Sequence, residues 1–468
     1  MRFDGNRAER VSRSAPHPGR LAELLLAATL LGACGGGGSG HGLPDELLDT
    51  RPTAVSCPGG VPSTTSCLAG QDERGAYYLI ALPTHWNGHL MLHAHGGPSL
   101  NPPTAQRPRD DLERWSVMVD AGYAWAGSSF RQGGVEVRTA AEDTENLRRL
   151  FNEHVATPTR TLLHGQSWGA GVAAKAAEMF TAETEGSAPY DAVLLTSGVL
   201  AGGTRSYDFR LDLRVVYQYL CHNHPRPSEL AYPLNIGLPV ASSMTRADLA
   251  ARTSECLGLD KPISQRSADQ RRKVQTIEQV IRIPASSIQG HLEWGTFHFQ
   301  DIVSRRTSRL SPFGNIGADY QGSDDDEALN ADVLRYRANA VAVQRFADDT
   351  DSNGRIPVPV LTTRWINDAT AFVELDAYFK DTMTTGGSAD RLVQTFTSSG
   401  SHSYISDVTY GTLADTLLQW IETGIKPTPN AIAQRCESLR SRFGGACSFA
   451  PDFVPSALET RIPTRERP

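Results

Sequence analysis

The chain has no Cys-x-x-Cys pair, which excludes a zinc ribbon and a dithiol redox motif. It has no basic stripe. Its 45 Lys and Arg and 52 Asp and Glu are mixed along the length, for a net charge of −7, and that excludes nucleic acid as a partner. No stretch repeats, so solenoids and propellers are excluded. Recognised metal spacings are missing too. His222 and His224, beside Cys221, match no known ligand pattern, and the run Asp324-Asp325-Asp326-Glu327 lacks the glycine and spacing of a calcium loop. That run reads as a solvated helix start, with calcium binding or attraction of a substrate amine as lesser alternatives. No metal and no cofactor are expected.

What is present points to a large α/β enzyme. The chain has 468 residues, 40% of them apolar, enough for one big core with insertions. Arginines up to Arg20 precede a short apolar run, Leu21 to Leu31, which is too short to span a membrane as a mature helix. Small residues follow and end in Leu31-Gly32-Ala33-Cys34. Residues 1–34 therefore read as a secretory signal. The Leu-Gly-Ala-Cys ending resembles the bacterial lipobox, which implies lipidation at Cys34 and a membrane as partner; simple cleavage after Ala33 is the alternative. Both readings export the protein to the cell envelope or beyond. Residues 35–54 are a glycine-rich spacer. Six cysteines remain: Cys57, Cys67, Cys221, Cys256, Cys436 and Cys447. An even number outside the cytosol suggests disulfides. Local pairing is expected (57–67, 221–256, 436–447), because each pair sits in its own loop-rich segment.

Between residues 55 and 425, strand and helix patterns alternate. Val55 to Gln71 reads as a disulfide-closed loop. Strands are expected at 76–82, 89–94, 123–127, 161–164, 191–196, 357–363 and 392–397, with helices at 112–121, 139–155, 372–384 and 404–424. This rhythm implies a mostly parallel sheet covered on both faces. Residues from about 203 to 325 break it: they are polar, proline-bearing and helical in pattern, and read as a lid insertion. A helix returns over 329–348. Residues 426–468 read as a surface-wrapping tail held by a disulfide.

The most informative stretch is Gly165-Gln166-Ser167-Trp168-Gly169, placed between an apolar strand and an alanine-rich helix. A strand that reverses into a helix this sharply strains the serine backbone and leaves no room for a Cβ two residues before or after it. The turn presents Ser167 as a nucleophile, and the Trp168 N–H at the new helix start becomes an oxyanion donor. A serine needs a base, and the base needs an orienting acid. Asp368 follows the 357–363 strand and His402 follows the last strand, in the order Ser, acid, His. Asp348, Asp349 and Asp351 precede the strand and are weaker candidates. Asp368 could alternatively cap a helix. His95-Gly96-Gly97-Pro98 follows an earlier strand. Pro98 has no N–H, so Gly97 is the expected second oxyanion donor. His95 reads as loop packing, and His93 and His164 as core histidines.

Together these motifs resemble the α/β-hydrolase superfamily over roughly residues 76–424. The resemblance implies a central sheet flanked by helices, a Ser167–His402–Asp368 triad, and cleavage of a small or polymeric ester through an acyl-enzyme. Proline-specific peptidases of the same fold carry a similar His-Gly-Gly-Pro, so an aminopeptidase-like activity is the alternative. A binding protein on an inactive scaffold is a third reading, against which the intact triad order stands.

Overall fold

The computed structural model describes residues 51–181 and 188–468. The expected signal segment, Cys34 and nearly all of the spacer lie outside the described residues. Nine strands form one sheet: β1 (Thr53–Val55), β2 (Ser66–Gln71), β3 (Tyr77–Leu82), β4 (His89–Ala94), β5 (Ala124–Ser128), β6 (Arg160–Gln166), β7 (Ala192–Thr196), β8 (Val360–Trp365) and β9 (Leu392–Thr397). Their order across the sheet is β1-β2-β3-β5-β4-β6-β7-β8-β9. The first three strands and β5 pair antiparallel; from β5 onward every pairing is parallel. This is the mixed, mostly parallel α/β sheet that the alternating pattern implies.

The strands obey a two-residue period with both faces buried. Leu90 and Leu92 join the core on one face and Met91 the core on the other; Leu163 and Leu162 divide in the same way, as do Val193 and Leu195 against Leu194. On the first face lie the helices Val137–His154 and Trp168–Thr181, and on the second lie Gln106–Arg114, Ser116–Asp120 and Asp407–Thr423. The alanines of the 168–181 helix are almost all fully buried, and their small size lets that helix lie close to the sheet.

The strand order sets where a ligand can sit. The chain leaves β4 toward one edge to make β5, then returns past β4 to make β6. The connections after β4 and β6 therefore part to opposite faces and leave a crevice at the carboxyl ends of these neighbouring strands.

Between β7 and β8 the chain makes a long helical excursion with an apolar core of its own, built on the helices Asp208–Cys221, Arg246–Leu257, Ala268–Ile281 and Ala285–Glu293. The acid run opens the helix Asp326–Asp332, with the Asp325 carboxylate accepting from the Ala328 N–H at 2.9 Å. The helix expected over 329–348 is two shorter ones, Asp326–Asp332 and Ala340–Thr350.

Two further expectations need correction. The stretch 55–71 is not only a disulfide-closed loop: β1 and β2 lie at its ends, and β1 begins inside the expected spacer. β2 reads Ser-Cys-Leu-Ala-Gly-Gln, which has little intrinsic strand preference, and its six-residue pairing with β3 decides its state. The last helix is not 404–424. Another runs Pro429–Phe443, with Thr428 capping the Ala431 N–H and Pro429 in the first turn, where its missing N–H is harmless. The tail beyond it is held by more than its cysteines: Arg465, buried, pairs with Asp212 at 2.7 Å. The three disulfides are Cys57–Cys67, Cys221–Cys256 and Cys436–Cys447, the local pairing expected. Among the described residues no helix is long and apolar enough to cross a membrane.

Candidate active site

Ser167 stands between the end of β6 and the helix Trp168–Thr181 with φ of +57°. A non-glycine residue pays about 1–2 kcal/mol for this left-handed backbone. The strain is held by bonds on three sides: the Ser167 N–H donates to Thr196 O (2.9 Å), while its carbonyl accepts from Ala170 N (3.1 Å) and Val199 N (3.0 Å). The flanking glycines are sterically required. A Cβ on Gly165 would overlap the Gly169 carbonyl, and one on Gly169 would overlap the carbonyls of Ala94 and His95.

The three residues expected to work together converge. The Ser167 hydroxyl donates to His402 Nε2 at 2.8 Å, and His402 Nδ1–H donates to Asp368 Oδ2 at 2.7 Å. Asp368 is 1% exposed. Its other oxygen, Oδ1, accepts the N–H groups of Thr370 (2.8 Å) and Ala371 (3.1 Å), so the capping reading and the orienting reading of this carboxylate hold together. Burial pushes the carboxyl upward, but the His402 bond and charge, then Arg364 and the Thr370 N–H, outweigh it and leave it below its ordinary value. This arrangement also fixes the imidazole with Nδ1 as donor and Nε2 as acceptor.

Gly97 and Trp168 both border the same cavity as Ser167 and His402, which measures about 300 Å³. Gly97 has φ of +71° and open space where a Cβ would be. A loop of this shape can bring a backbone N–H close to a developing oxyanion.

Other expected candidates fall elsewhere. Asp349 accepts from Val137 N (3.2 Å) and Arg138 N (2.9 Å) at the start of the 137–154 helix, and Asp351 bonds Thr204. Neither touches His402. His95 is buried, stacks on Phe130 with centroids 4.2 Å apart, and is pushed down to about 3 by burial. His93 and His164 share a 3.0 Å hydrogen bond in the core, and burial lowers both, His164 to about 3. These rings stay neutral at working pH and do packing. His224 is likewise buried, bonded to Arg214 (3.2 Å) and Thr296 (3.0 Å). His222 takes the left-handed C-cap position of the 208–221 helix. No cluster among the described residues has a metal-holding grouping.

Sequence reasoning missed several residues that shape the site. Gln166 Nε2 donates to the His402 carbonyl at 2.9 Å and so ties the elbow to the histidine loop. Arg107 Nη2 donates to Gly96 O at 2.6 Å and pins the glycine loop, while its Nε pairs with Asp111. Arg364, fully buried, donates to the carbonyls of Phe372 (2.7 Å) and Gly198 (2.5 Å) and pairs with Asp376, bracing the loop that carries Asp368. Two histidines of the helical excursion reach both functional loops: His298 Nε2–H donates to Pro98 O (2.9 Å) and His291 Nε2–H to Ala369 O (2.8 Å). The signals for these are long-range contacts, with no local motif.

No family model and no curated protein matches the chain. In structure it is similar to esterases. With feruloyl esterase B from Aspergillus oryzae it shares 12% identity at a TM-score of 0.42, over 81% of this chain and 89% of that one. With another esterase from Aspergillus oryzae it shares 12% at a TM-score of 0.41, over 80% and 85%. With the rice cell wall degrading esterase LipA from Xanthomonas oryzae it shares 12% at a TM-score of 0.37, over 77% and 89%.

Proposed function

We propose that this chain is an exported serine hydrolase that cleaves carboxylic esters through an acyl-enzyme. The observation that carries the reading is the unbroken chain of hydrogen bonds from Ser167 through His402 to Asp368, on a serine held at positive φ at the switch point of the sheet. As the Ser167 oxygen bonds to the ester carbon, its proton passes to His402 Nε2, and Asp368 stabilises the imidazolium. The carbonyl π pair moves onto oxygen, which the Gly97 and Trp168 N–H groups receive. Each such donor contributes about 3–4 kcal/mol of transition-state stabilisation. Collapse breaks the ester C–O bond, and the departing alcohol takes the proton from His402. Water then repeats the sequence on the acyl-enzyme, with His402 as base, and releases the acid.

The ester reading is supported over an aminopeptidase one by charge. An aminopeptidase needs a carboxylate near the scissile bond to hold a free amine, and the described residues around the Ser167 cavity include no Asp or Glu. The acid run is engaged elsewhere, with Asp325 and Asp326 bonded to nearby backbone N–H groups. The excursion between β7 and β8 supplies Tyr207, Arg210 and Trp294 to the cavity and acts in this reading as a lid that sets specificity. The Leu-Gly-Ala-Cys ending supports a lipid anchor at Cys34.

Purified protein should turn over p-nitrophenyl esters far faster than amino-acid p-nitroanilides, and the reverse order would favour the peptidase. A fluorophosphonate should label Ser167, and peptide mass mapping that finds the label elsewhere would remove the proposal. Lipidation is checked by incorporation of labelled palmitate, which Cys34→Ala should abolish.

A further inference from the structure

The cavity beside Ser167 contains a cation without a counter-ion. Arg210 is 5% exposed and borders that cavity. Its guanidinium lies over the faces of Trp294 (4.4 Å to the centroid), Phe209 (4.6 Å) and Tyr207 (5.1 Å). Its polar contact within the protein is one long bond from Nη1 to Ser206 O, at 3.5 Å, and its Nε has no partner. No described carboxylate pairs with it.

Among the other deeply buried arginines, Nε of Arg214 and of Arg364 likewise makes no hydrogen bond, but they differ from Arg210 in what their terminal nitrogens or charges meet. Arg214, one helical turn further on, donates to the carbonyls of Leu234, Gly237 and Gly295 at 2.6–3.1 Å. Arg364 has Asp376, and Arg465 has Asp208 and Asp212. A buried guanidinium whose donors are unmet is costly unless something completes it. Burial lowers Arg210, with Tyr207 offsetting part of this, to about 10, so the group is still charged at neutral pH. Arg107 and Arg114 border the same cavity. Arg107 is engaged by Asp111 and Gly96, whereas Arg114 is exposed at the rim and adds positive potential. The cavity wall is thus cationic, with flat aromatic faces beside the charge.

Resting on the reading of Ser167 as an ester-cleaving nucleophile, we infer that Arg210 is a specificity residue that holds a carboxylate carried by the substrate itself, so that the enzyme acts on esters bearing a second, free carboxyl group. A guanidinium can grip such a carboxylate through two parallel N–H donors, while the Trp294 and Tyr207 faces hold the rest of the molecule. The carboxylate could belong to the acyl part, as in a monoester of a dicarboxylic acid, or to the alcohol part.

The experiment uses two matched pairs. One is p-nitrophenyl hydrogen glutarate against its methyl ester, with the charge on the acyl side. The other is p-acetoxybenzoate against its methyl ester, with the charge on the alcohol side. For each pair the ratio of kcat/KM, charged over neutral, is measured in wild type and in Arg210→Leu. In one pair the wild-type ratio should exceed the variant ratio by about 10- to 100-fold, mostly through KM. Arg210→Lys should recover part of it, since it returns the charge without the fork. Unchanged ratios in both pairs would overturn the inference. A second readout needs no variant: glutarate or benzoate should inhibit the wild type competitively at least about tenfold more strongly than glutaramide or benzamide. Equal inhibition would also overturn it. If the neutral esters are turned over while charge has no effect, only the carboxylate inference fails. If no ester is turned over at all, the reading of Ser167 fails with it.

Discussion

The most discriminating perturbation of the hydrogen-bonded chain is Asp368→Asn, because the structure dictates how the amide must sit. Oδ1 of Asp368 receives two backbone N–H groups, from Thr370 and Ala371. In the asparagine variant the carbonyl oxygen must keep that side, since an NH2 there would face two donors. The NH2 group is then forced toward His402 Nδ1, where the carboxylate oxygen stood at 2.7 Å. A donor at that position requires Nδ1 to be the unprotonated nitrogen. The neutral ring must then carry its proton on Nε2, and that N–H points at the Ser167 oxygen 2.8 Å away. In this tautomer His402 cannot accept the serine proton. An inverted tautomer of this kind lowers kcat by about 10⁴-fold in enzymes that use the same constellation, or about 5.5 kcal/mol of barrier. Asp368 borders no substrate space, so KM should move little. Both backbone N–H groups keep their acceptor, so the urea midpoint should stay close to wild type. The assay is steady-state hydrolysis of a p-nitrophenyl ester at pH 7, with fluorophosphonate labelling as an active-site count. A variant that keeps more than a tenth of wild-type kcat would refute the argument, because the tautomer would then not be set by this carboxylate.

Three other changes test other links. Ser167→Ala and Ser167→Gly both lack the nucleophile and should lose roughly 10⁶-fold in kcat. They should differ in stability, with Gly above Ala by about 1 kcal/mol in urea denaturation, because only glycine relaxes at φ of +57°. Gln166→Ala removes the bond to the His402 carbonyl and should lower kcat about fivefold without a change in KM; an unaltered kcat would show that the histidine loop holds itself. Arg364→Met leaves Asp376 buried and unpaired and should destabilise by about 3–5 kcal/mol in equilibrium unfolding. A midpoint equal to wild type would mean that Asp376 takes up a proton at little penalty.

The parts of the site that could be read in advance are those whose requirements are local and steric. Gly165 and Gly169 follow from the crowding of one turn, and that crowding is written in consecutive residues. Asp368 and His402 are distant in the chain but fall just after buried apolar strands, so a parallel sheet delivers them to the same edge. The helix Pro429–Phe443 is hard to read within the tail because proline is a breaker inside a helix and a good starter at its first turn, and the Thr428 cap distinguishes the two. Thr53–Val55, at the edge of the sheet, and Ser66–Gln71, between it and β3, carry little strand signal because such strands are made by their neighbours more than by their own side chains.

Arg210 shows a deeper reason. In Asp208-Phe209-Arg210-Leu211-Asp212-Leu213-Arg214 the two arginines look alike, and both become buried on one helix. The backbone at Leu234, Gly237 and Gly295 brings three carbonyls to Arg214 and leaves Arg210 facing the cavity with aromatic rings and one long bond to Ser206 O. What separates a structural arginine from a ligand-binding one here is the set of acceptors that fails to arrive, and an absence of partners has no sequence pattern. The chemistry of Ser167 is therefore legible from a pentapeptide, whereas its substrate preference rests on how an irregular helical excursion happens to distribute its carbonyls. If Arg210 holds the substrate as proposed, variation within that excursion would re-aim the enzyme from charged to neutral esters without touching Ser167, Asp368 or His402, beginning with an added acceptor near Arg210.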